Sequence, residues 1–329
     1  MKAIILAGGQ GTRLRSITGG QIPKPMVSIA GRPVLEYLLV TLRRNGITDI
    51  CCTLRTLPEA ITGYFGSGED VGVNLHYRIE STPLGTAGAV AACRDFTGDE
   101  SFIVCCGDAL LDCELQPLTE LHEKSGAAAT LGLYRSSLPL SFGLCVTDRD
   151  HRVCAFVEKP DWAQVVTDQI NAGIYVFSPE VFAHIPKNQS YDIGGELLPA
   201  LLRENKKVCA LPLEGYWRDI GSELSYYQAN LDVRSGKLPH FAPPREKKQS
   251  APRRYYPCEL HFPTVNAARL MAALSASLME AGADFTDGLR SEGVHIAPQS
   301  GEELLVESAD QQTLAHYAEL CRTLEAENE

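Results

Sequence analysis

The chain has 329 residues, 44% of them hydrophobic and 22% charged, with a formal net charge of -11. That length supports a large core and more than one domain, and the composition is ordinary for a globular protein. The acidic balance argues against nucleic acid or an anionic membrane as the main partner, so anionic substrates would need local cations or a metal.

Met1 to Ile5 is a short apolar strand pattern that empties into Leu6-Ala7-Gly8-Gly9-Gln10-Gly11-Thr12-Arg13-Leu14, followed by Pro23-Lys24-Pro25-Met26. No membrane-length run or signal-peptide pattern precedes this strand, which predicts a cytoplasmic protein. The spacing then predicts a helix over Val34 to Arg44, stopped by Asn45-Gly46, a strand over Asp49 to Leu54 and a helix over Pro58 to Phe65. A strand over Val73 to Ile79, a helix over Leu84 to Cys93 and a strand over Ser101 to Cys106 follow, the last running into Gly107-Asp108. This alternation predicts an α/β fold, a Rossmann-like mixed, mainly parallel sheet with helices on both faces. Ligands in such sheets bind beyond the carboxyl ends of strands, where Gly8 and Asp108 lie.

Strands at Ala128 to Tyr134, Leu144 to Thr147, Val153 to Glu158 and Ile170 to Val176 come with few helices between them, as in a mixed sheet. Helices are expected at Glu180 to Ile185 and Gly195 to Asn205, and a strand at Val208 to Leu213. Next come Gly215-Tyr216-Trp217-Arg218-Asp219-Ile220-Gly221 and a helix from Ser222 to Arg234. Prolines and paired basic residues mark 237–257 as a linker between a first domain, 1–236, and a small α+β domain, 258–329. There, helices are expected at Ala267 to Ala281 and Gln311 to Glu327, and strands at Gly288 to Ala297 and Glu303 to Glu307. The 11 cysteines fall mainly in apolar strand patterns, as Cys51-Cys52, Cys105-Cys106, Cys145 and Cys154 do, and read as buried reduced thiols.

Three glycines in four positions strip one patch of backbone, and Arg13 and Lys24 place fixed positive charge beside it, the makings of a phosphate cradle. The loop is neither a P-loop, which needs Lys-Ser or Lys-Thr after its last glycine, nor a dinucleotide fingerprint, which needs a small residue where Leu14 stands.

Leu6-Ala7-Gly8-Gly9 through Leu14 with Pro23-Lys24-Pro25-Met26 resembles the sugar-1-phosphate nucleotidylyltransferases, or nucleotide-sugar pyrophosphorylases. The likeness continues through Pro83-Leu84-Gly85-Thr86-Ala87-Gly88, Gly107-Asp108, Phe142-Gly143, Val157-Glu158-Lys159-Pro160, Asn171-Ala172-Gly173 and Trp217 to Gly221. Ser16 departs from the proline usual there. The resemblance implies attack of a sugar phosphate oxygen on the α-phosphorus of a nucleoside triphosphate, with pyrophosphate leaving. Such chemistry rests on positioning and charge stabilisation.

In that scheme Arg13 clamps the leaving phosphates and Lys24 neutralises charge around the α-phosphate. The resemblance gives Asp108 and Asp219 to Mg²⁺, which accepts one or two carboxylates and leaves its other positions to phosphate and water. By residue type alone, Asp108 is equally a turn residue and Asp219 equally a partner for Arg218. Leu6, Ala7, Gly8, Gly9, Gly11 and Thr12, with Glu80, Pro83, Gly85 and Thr86, would hold the nucleotide. Gly143, Glu158, Lys159 and Asn171 would hold the sugar phosphate. Asp112 lies near Asp108 without an assigned role.

Thymidylyl-type relatives carry glutamine where Glu80 stands. A carboxylate only accepts hydrogen bonds and guanine offers neighbouring N–H donors, so Glu80 favours guanine. The closest resemblance is to mannose-1-phosphate guanylyltransferases, making GDP-mannose from GTP and mannose 1-phosphate. Cys106-Gly107-Asp108-Ala109-Leu110 and Tyr191-Asp192-Ile193-Gly194-Gly195 instead resemble a branch making UDP-glucose from UTP and glucose 1-phosphate. Another hexose or heptose 1-phosphate, and an inactive nucleotide-sugar-binding regulatory subunit, are the remaining alternatives. A nicotinamide-dependent oxidoreductase fails for want of the glycine fingerprint. A homo-oligomer is expected. The last module resembles the final domain of phosphomannomutases, but Gln299 to Glu303 lacks that domain's Thr-Glu-Pro and arginine, so a non-catalytic role is expected.

Overall fold

The computed structural model describes residues 1–9, 11–187, 189–241, 258–264, 267–278, 289–291, 294–300, 303–308 and 311–326. In chain order the first elements are β1 (Lys2–Leu6), the single turn α1 (Arg15–Thr18) and the hairpin β2 (Ser28–Ile29) and β3 (Arg32–Pro33). Then come α2 (Val34–Arg44), β4 (Asp49–Leu54), α3 (Pro58–Phe65), β5 (Asn74–Ile79), α4 (Gly85–Ala91) and the turn α5 (Arg94–Thr97). Next are β6 (Phe102–Cys106), β7 (Ala109–Cys113), α6 (Gln116–Ser125), β8 (Ala129–Arg135), β9 (Gly143–Thr147), β10 (Val153–Glu158) and β11 (Gln169–Phe177). The chain continues through α7 (Leu198–Arg203), β12 (Val208–Pro212), β13 (Gly215–Asp219) and α8 (Glu223–Arg234). It ends in β14 (Cys258–Pro263), α9 (Ala267–Leu278), β15 (Leu289–Ser291), β16 (Val294–Ser300), β17 (Glu303–Ser308) and α10 (Gln311–Ala326).

Two compact units emerge. The first holds Met1–Gln10, Pro23–Met26 and Val34–Trp217, and the second Gly11–Ile22, Val27–Pro33 and Arg218–Glu329.

A nine-stranded sheet in the order β10-β9-β11-β6-β1-β4-β5, with β8 joining β11 to β12, forms the first unit. Following the pairings, β1, β4, β5, β6, β8, β9 and β12 run one way, and β10 and β11 the other. Period-two alternation divides the core. Ala3 and Ile5 of β1, with Ile103 and Cys105 of β6, pack beneath Leu35, Leu38 and Leu42 of α2. Ile4, Phe102 and Val104 face the other way, onto Ala87 and Val90 of α4. Each of the Ile, Leu, Val and Phe side chains, fully buried, contributes roughly 1.5–3 kcal/mol. The expected C-cap after α2 forms, with Gly46 at φ 75° and its N–H on Arg43 O at 2.9 Å.

Several elements differ from the sequence reading. The helix α6 was not anticipated, because only Leu118 and His122 within it are buried, too narrow a stripe to stand out as a period. The segment β7 is a strand paired with β13, and Glu180 to Ile185 is replaced by a 3₁₀ stretch over Pro179–His184. The expected helix from Gly195 opens as a wide π turn at Ile193–Leu197 before α7.

Within the second unit α8 is a post. Ser222 caps its first turn, accepting from Ser225 N at 3.1 Å, and Asn230 Oδ1 accepts from Ala30 N at 2.8 Å in the hairpin β2–β3. Asp232, 1% exposed, takes Arg218 Nη2 at 3.0 Å and Lys237 Nζ at 2.7 Å. The helix α9 packs on α8 and belongs to a module with the antiparallel sheet β14-β17-β16-β15 and α10. Its core includes Leu270, Met271 and Leu274 from α9, Leu304 and Val306 from β17, and Leu314 and Cys321 from α10. The stretch expected as one strand from Gly288 contains two, β15 and β16, with Leu289 opposite Ile296.

The first residues of the expected linker are packed, Leu238 and Phe241 being buried, and 242–257 lie outside the described residues. Of the cysteines singled out by sequence, Cys51, Cys52, Cys105 and Cys145 are buried free thiols, Cys106 is half-buried and Cys154 is exposed. No helix among the described residues is long and apolar enough to cross a membrane.

Candidate functional site

Within the first unit, several of the expected site residues gather at the carboxyl ends of β1 and β6. Leu6 O accepts from Gly107 N at 2.9 Å, and Ala7 N donates to Thr53 O at 3.0 Å. A Cβ on Gly107 would lie 2.9 Å from Ile5 Cγ2 and 3.1 Å from Leu6 O, so only glycine lets the two strand ends close together. This closure sets Asp108 in the turn between β6 and β7. Opposite it, buried prolines on both sides of Lys24 hold a 3₁₀ turn over Lys24–Met26, and Met26 N bonds Pro23 O at 2.8 Å. Lys24 is 8% exposed, and its Nζ donates to Asp108 Oδ2 at 2.6 Å.

Leu6 is half-buried and Ala7 buried, Gly8 is half-buried, and Gly9 is exposed. A Cβ on Gly8 would lie 3.3 Å from Glu80 Oε1, so the bare loop and the expected base reader are neighbours. Glu80 follows β5 and its N–H bonds Leu54 O at 2.8 Å. Burial raises its carboxyl pKa, opposed by the Leu84 N–H, the Thr53 hydroxyl and Arg55.

Pro83 is exposed in the loop before α4. Gly85, at φ 71°, lies against the Tyr191 backbone, and a Cβ there would be 2.5 Å from Tyr191 O. The Thr86 hydroxyl is turned to the distant segment that carries Asp192 and Ile193. It donates to Asp192 Oδ1 at 2.6 Å and accepts from Ile193 N at 2.7 Å.

The sugar wall predicted from sequence is a row across three strands. Glu158 of β10 pairs with Gly143 of β9, and the Ile170–Leu144 pair sets Asn171 of β11 beside Gly143 on its other side. A Cβ on Gly143 would lie 2.7 Å from Glu158 Oε2, so the carboxylate leans over the bare strand. Burial raises the Glu158 pKa, the Asp192 carboxylate adds to the rise, and Lys159 opposes it. Lys159 is exposed at φ 46°, a left-handed backbone unusual for a residue with a side chain.

Asn171 sits where β11 bulges. Its Nδ2 donates to Tyr175 Oη at 2.7 Å and its Oδ1 accepts from Gly173 N at 3.1 Å, so it holds the bulge in shape. Burial raises the Tyr175 pKa well above its usual value. Trp217 braces the same wall, with Nε1 on Ala172 O at 2.9 Å and its ring 5.6 Å from that of Phe142. Asp192 and Gly194, which sequence reasoning gave no role, lie close to Glu158. The only sequence signal for them was the motif Tyr191 to Gly195.

The second unit carries Gly11, Thr12, Arg13 and Asp219. Gly11, at φ 59°, starts a 3₁₀ turn over Thr12–Leu14 in which Leu14 is fully buried and Thr12 and Arg13 are exposed. Asp219 closes β13, and its carboxylate crowds Gly221, where a Cβ would also lie 3.5 Å from Arg13 Nη1. Arg13 and Asp219 are thus neighbours around one glycine, while Arg218 reaches Asp232. Asp112, near Asp108 in sequence, is buried and bonded to Arg44 at 2.7 Å, a packing role.

Among the described residues no cluster of three or more His, Cys, Asp or Glu side chains forms a metal cage. Asp108, part-exposed with hard oxygen donors beside a lysine, fits an ion that takes few protein ligands and completes its shell with phosphate and water.

A family model described as nucleotidyl transferase matches residues 2–236. A UTP–glucose-1-phosphate uridylyltransferase of Synechocystis sp. is 39% identical over 251 residues, covering 72% of this chain and 64% of that protein. A mannose-1-phosphate guanylyltransferase of Mycobacterium tuberculosis is 36% identical over 238 residues, covering 72% of this chain and 66% of that one. The chain spans just under two thirds of the length of these curated relatives. HddC from Yersinia pseudotuberculosis, solved in complex with GMP-PN, matches with a TM-score of 0.59 at 30% identity, covering 70% of this chain and 97% of that one.

Proposed function

The chain belongs to the nucleotidyl transferase family, and on that premise we propose that it transfers a nucleotidyl group from a nucleoside triphosphate to a sugar 1-phosphate. The observation that carries this reading is the Lys24–Asp108 pair, 2.6 Å apart beside the close-packed ends of β1 and β6. A buried ammonium and a hard carboxylate next to bare backbone suit a polyphosphate.

In the reaction a phosphate oxygen of the sugar 1-phosphate forms a bond to the α-phosphorus. The bond from that phosphorus to the oxygen bridging the β-phosphate breaks, and pyrophosphate leaves with the electron pair. Lys24 neutralises charge around the α-phosphate and Arg13 holds the departing phosphates. Glu158 accepts hydrogen bonds from sugar hydroxyls, Lys159 meets the sugar's phosphate, and Gly143 and Asn171 complete that wall. Leu6, Ala7, Gly8, Gly9, Gly11 and Thr12 bring backbone to the nucleotide, and Pro83, Gly85 and Thr86 form the far edge of its base. Asp108 and Asp219 are the proposed carboxylates for Mg²⁺, which supplies charge neutralisation on the phosphates when bound. The catalytic domain is taken as 1–236, in a cytoplasmic homo-oligomer, with the last module non-catalytic.

The substrate pair we favour is GTP with mannose 1-phosphate. Glu80 beside Gly8 supports guanine, as do the resemblance to the M. tuberculosis guanylyltransferase and the GMP-PN bound by HddC. The Synechocystis relative favours the second reading, UTP with glucose 1-phosphate. Offering each nucleoside triphosphate against each sugar phosphate with Mg²⁺, and following pyrophosphate, decides between them. Fastest release from GTP with mannose 1-phosphate is expected, and a marked preference for UTP overturns the base assignment.

A further inference from the structure

The carboxylate of Glu158 is held between two glycines from distant parts of the chain. Gly143 faces it across the β9–β10 pair, and Gly194 meets it from the π turn. A Cβ on Gly194 would find carboxylate atoms as its nearest neighbours, Glu158 Oε2 at 2.5 Å, Glu158 Cδ at 3.1 Å and Asp192 Oδ2 at 3.7 Å. Gly194 is buried, and its φ lies outside the left-handed region. The backbone there accepts an L side chain, so what a methyl group would displace is the movable end of Glu158.

The turn that carries Gly194 is itself tied to the base-side helix. Ala87 N and Gly88 N donate to Tyr191 O at 2.9 and 3.1 Å, and Thr86 bonds both Asp192 and Ile193. Asp192 Oδ2 accepts from Gly195 N at 3.0 Å, and Glu196 Oε2 accepts from Asp192 N at 2.7 Å. These bonds fix the turn, and the turn fixes the space left for Glu158.

We propose that Gly194 is a specificity-determining positioning residue, whose missing side chain forms with Gly143 the slot that sets the Glu158 carboxylate toward the hydroxyls of a hexose 1-phosphate. This rests on the proposed nucleotidyl transfer and names the part of the chain that selects its sugar. Gly143 is a poorer probe, because a Cβ there would also meet the Phe156 ring at 2.5 Å.

The test is Gly194→Ala, alone and combined with Glu158→Gln, in the full-length chain. Displacing a charged hydrogen-bond acceptor predicts a rise of about tenfold in KM for mannose 1-phosphate and a smaller preference for it over glucose 1-phosphate. KM for the nucleotide and the melting temperature should stay at wild-type values, and in the Glu158→Gln background the glycine substitution should add nothing further. Unchanged KM for the sugar phosphate, an equal rise for the nucleotide, or full additivity overturns the proposal. Calorimetric titration with mannose 1-phosphate reads the same displacement without turnover. A wild-type protein that binds the sugar phosphate and loses affinity on Gly194→Ala, yet releases no pyrophosphate with any pair, defeats the functional reading alone.

Discussion

Lys24 Nζ donates to Asp108 Oδ2 at 2.6 Å, joining two residues that the sequence reading assigned to separate tasks, phosphate and metal. Each supplies the other's counter-charge. Lys24 is almost enclosed, with 9% of its side chain exposed, whereas Asp108 keeps 35%. Lys24→Met and Asp108→Asn are each expected to lower kcat by about a hundredfold or more, as removal of a group stabilising transition-state charge does. Their product should exceed the loss in the double variant, because the two act as a unit. Steady-state rates of the three variants check this.

Glu80 offers a test of base selection that leaves the phosphates alone. Replacing its carboxylate by an amide that both donates and accepts should shift the ratio of kcat/KM for GTP over UTP by about tenfold toward UTP. Competition between the two triphosphates at a fixed sugar phosphate measures the ratio.

Glu158 carries a stability consequence with a definite sign. Its folded pKa is raised, chiefly by burial, above the ordinary carboxylate value. Its contribution to stability is therefore fully present below the unfolded pKa and is lost as pH rises through the folded one. Glu158→Gln should melt higher than wild type at neutral pH, with a difference that shrinks toward pH 4.5, while its affinity for the sugar phosphate falls. Melting curves across pH read the first effect and calorimetry the second.

His122 predicts acid sensitivity of the fold itself. It is 2% exposed, its Nδ1 lies 2.9 Å from Thr130 Oγ1, and its Nε2 lies 3.2 Å from Ser101 Oγ and 3.1 Å from Ser178 Oγ. Burial lowers its pKa below the usual 6.5. The unfolded chain then takes up a proton first, so stability is full above pH 6.5 and declines as pH falls toward the folded value. Denaturant melts at stepped pH should show this decline, reduced in His122→Gln.

Much of the site was legible in sequence because its parts are local. The bare loop, the prolines around Lys24, and the Gly107-Asp108 and Glu158-Lys159 pairs are each set by a few neighbouring residues, and the structure places the loop and the two pairs at strand ends and Lys24 in a 3₁₀ turn. What was not legible depends on contacts between distant segments. The motif points to Thr86 as a nucleotide residue, and only the fold shows that its hydroxyl engages Asp192, 106 residues away. The motif points to Asn171 as a sugar residue, and only the fold shows that both ends of its amide also hold the bulge of β11. Gly194 stands in the motif Tyr191 to Gly195 with no role legible there, because its closeness to Glu158 arises only where the π turn meets β10. The strands β15 and β16 read as a single strand because β15 is too short to stand apart, and the helix α6 escaped because its apolar stripe is too narrow to show a period.

The central claim is that a nucleotidyl group moves from a triphosphate to a sugar phosphate. GTP labelled at its α-phosphate, incubated with mannose 1-phosphate, Mg²⁺ and the full-length chain, tests it most directly. The account predicts label in a GDP-sugar, formed in equal amount with unlabelled pyrophosphate and only when both substrates are present. Label that never enters a sugar-bearing product, with GTP or any other triphosphate and either sugar phosphate, would contradict it.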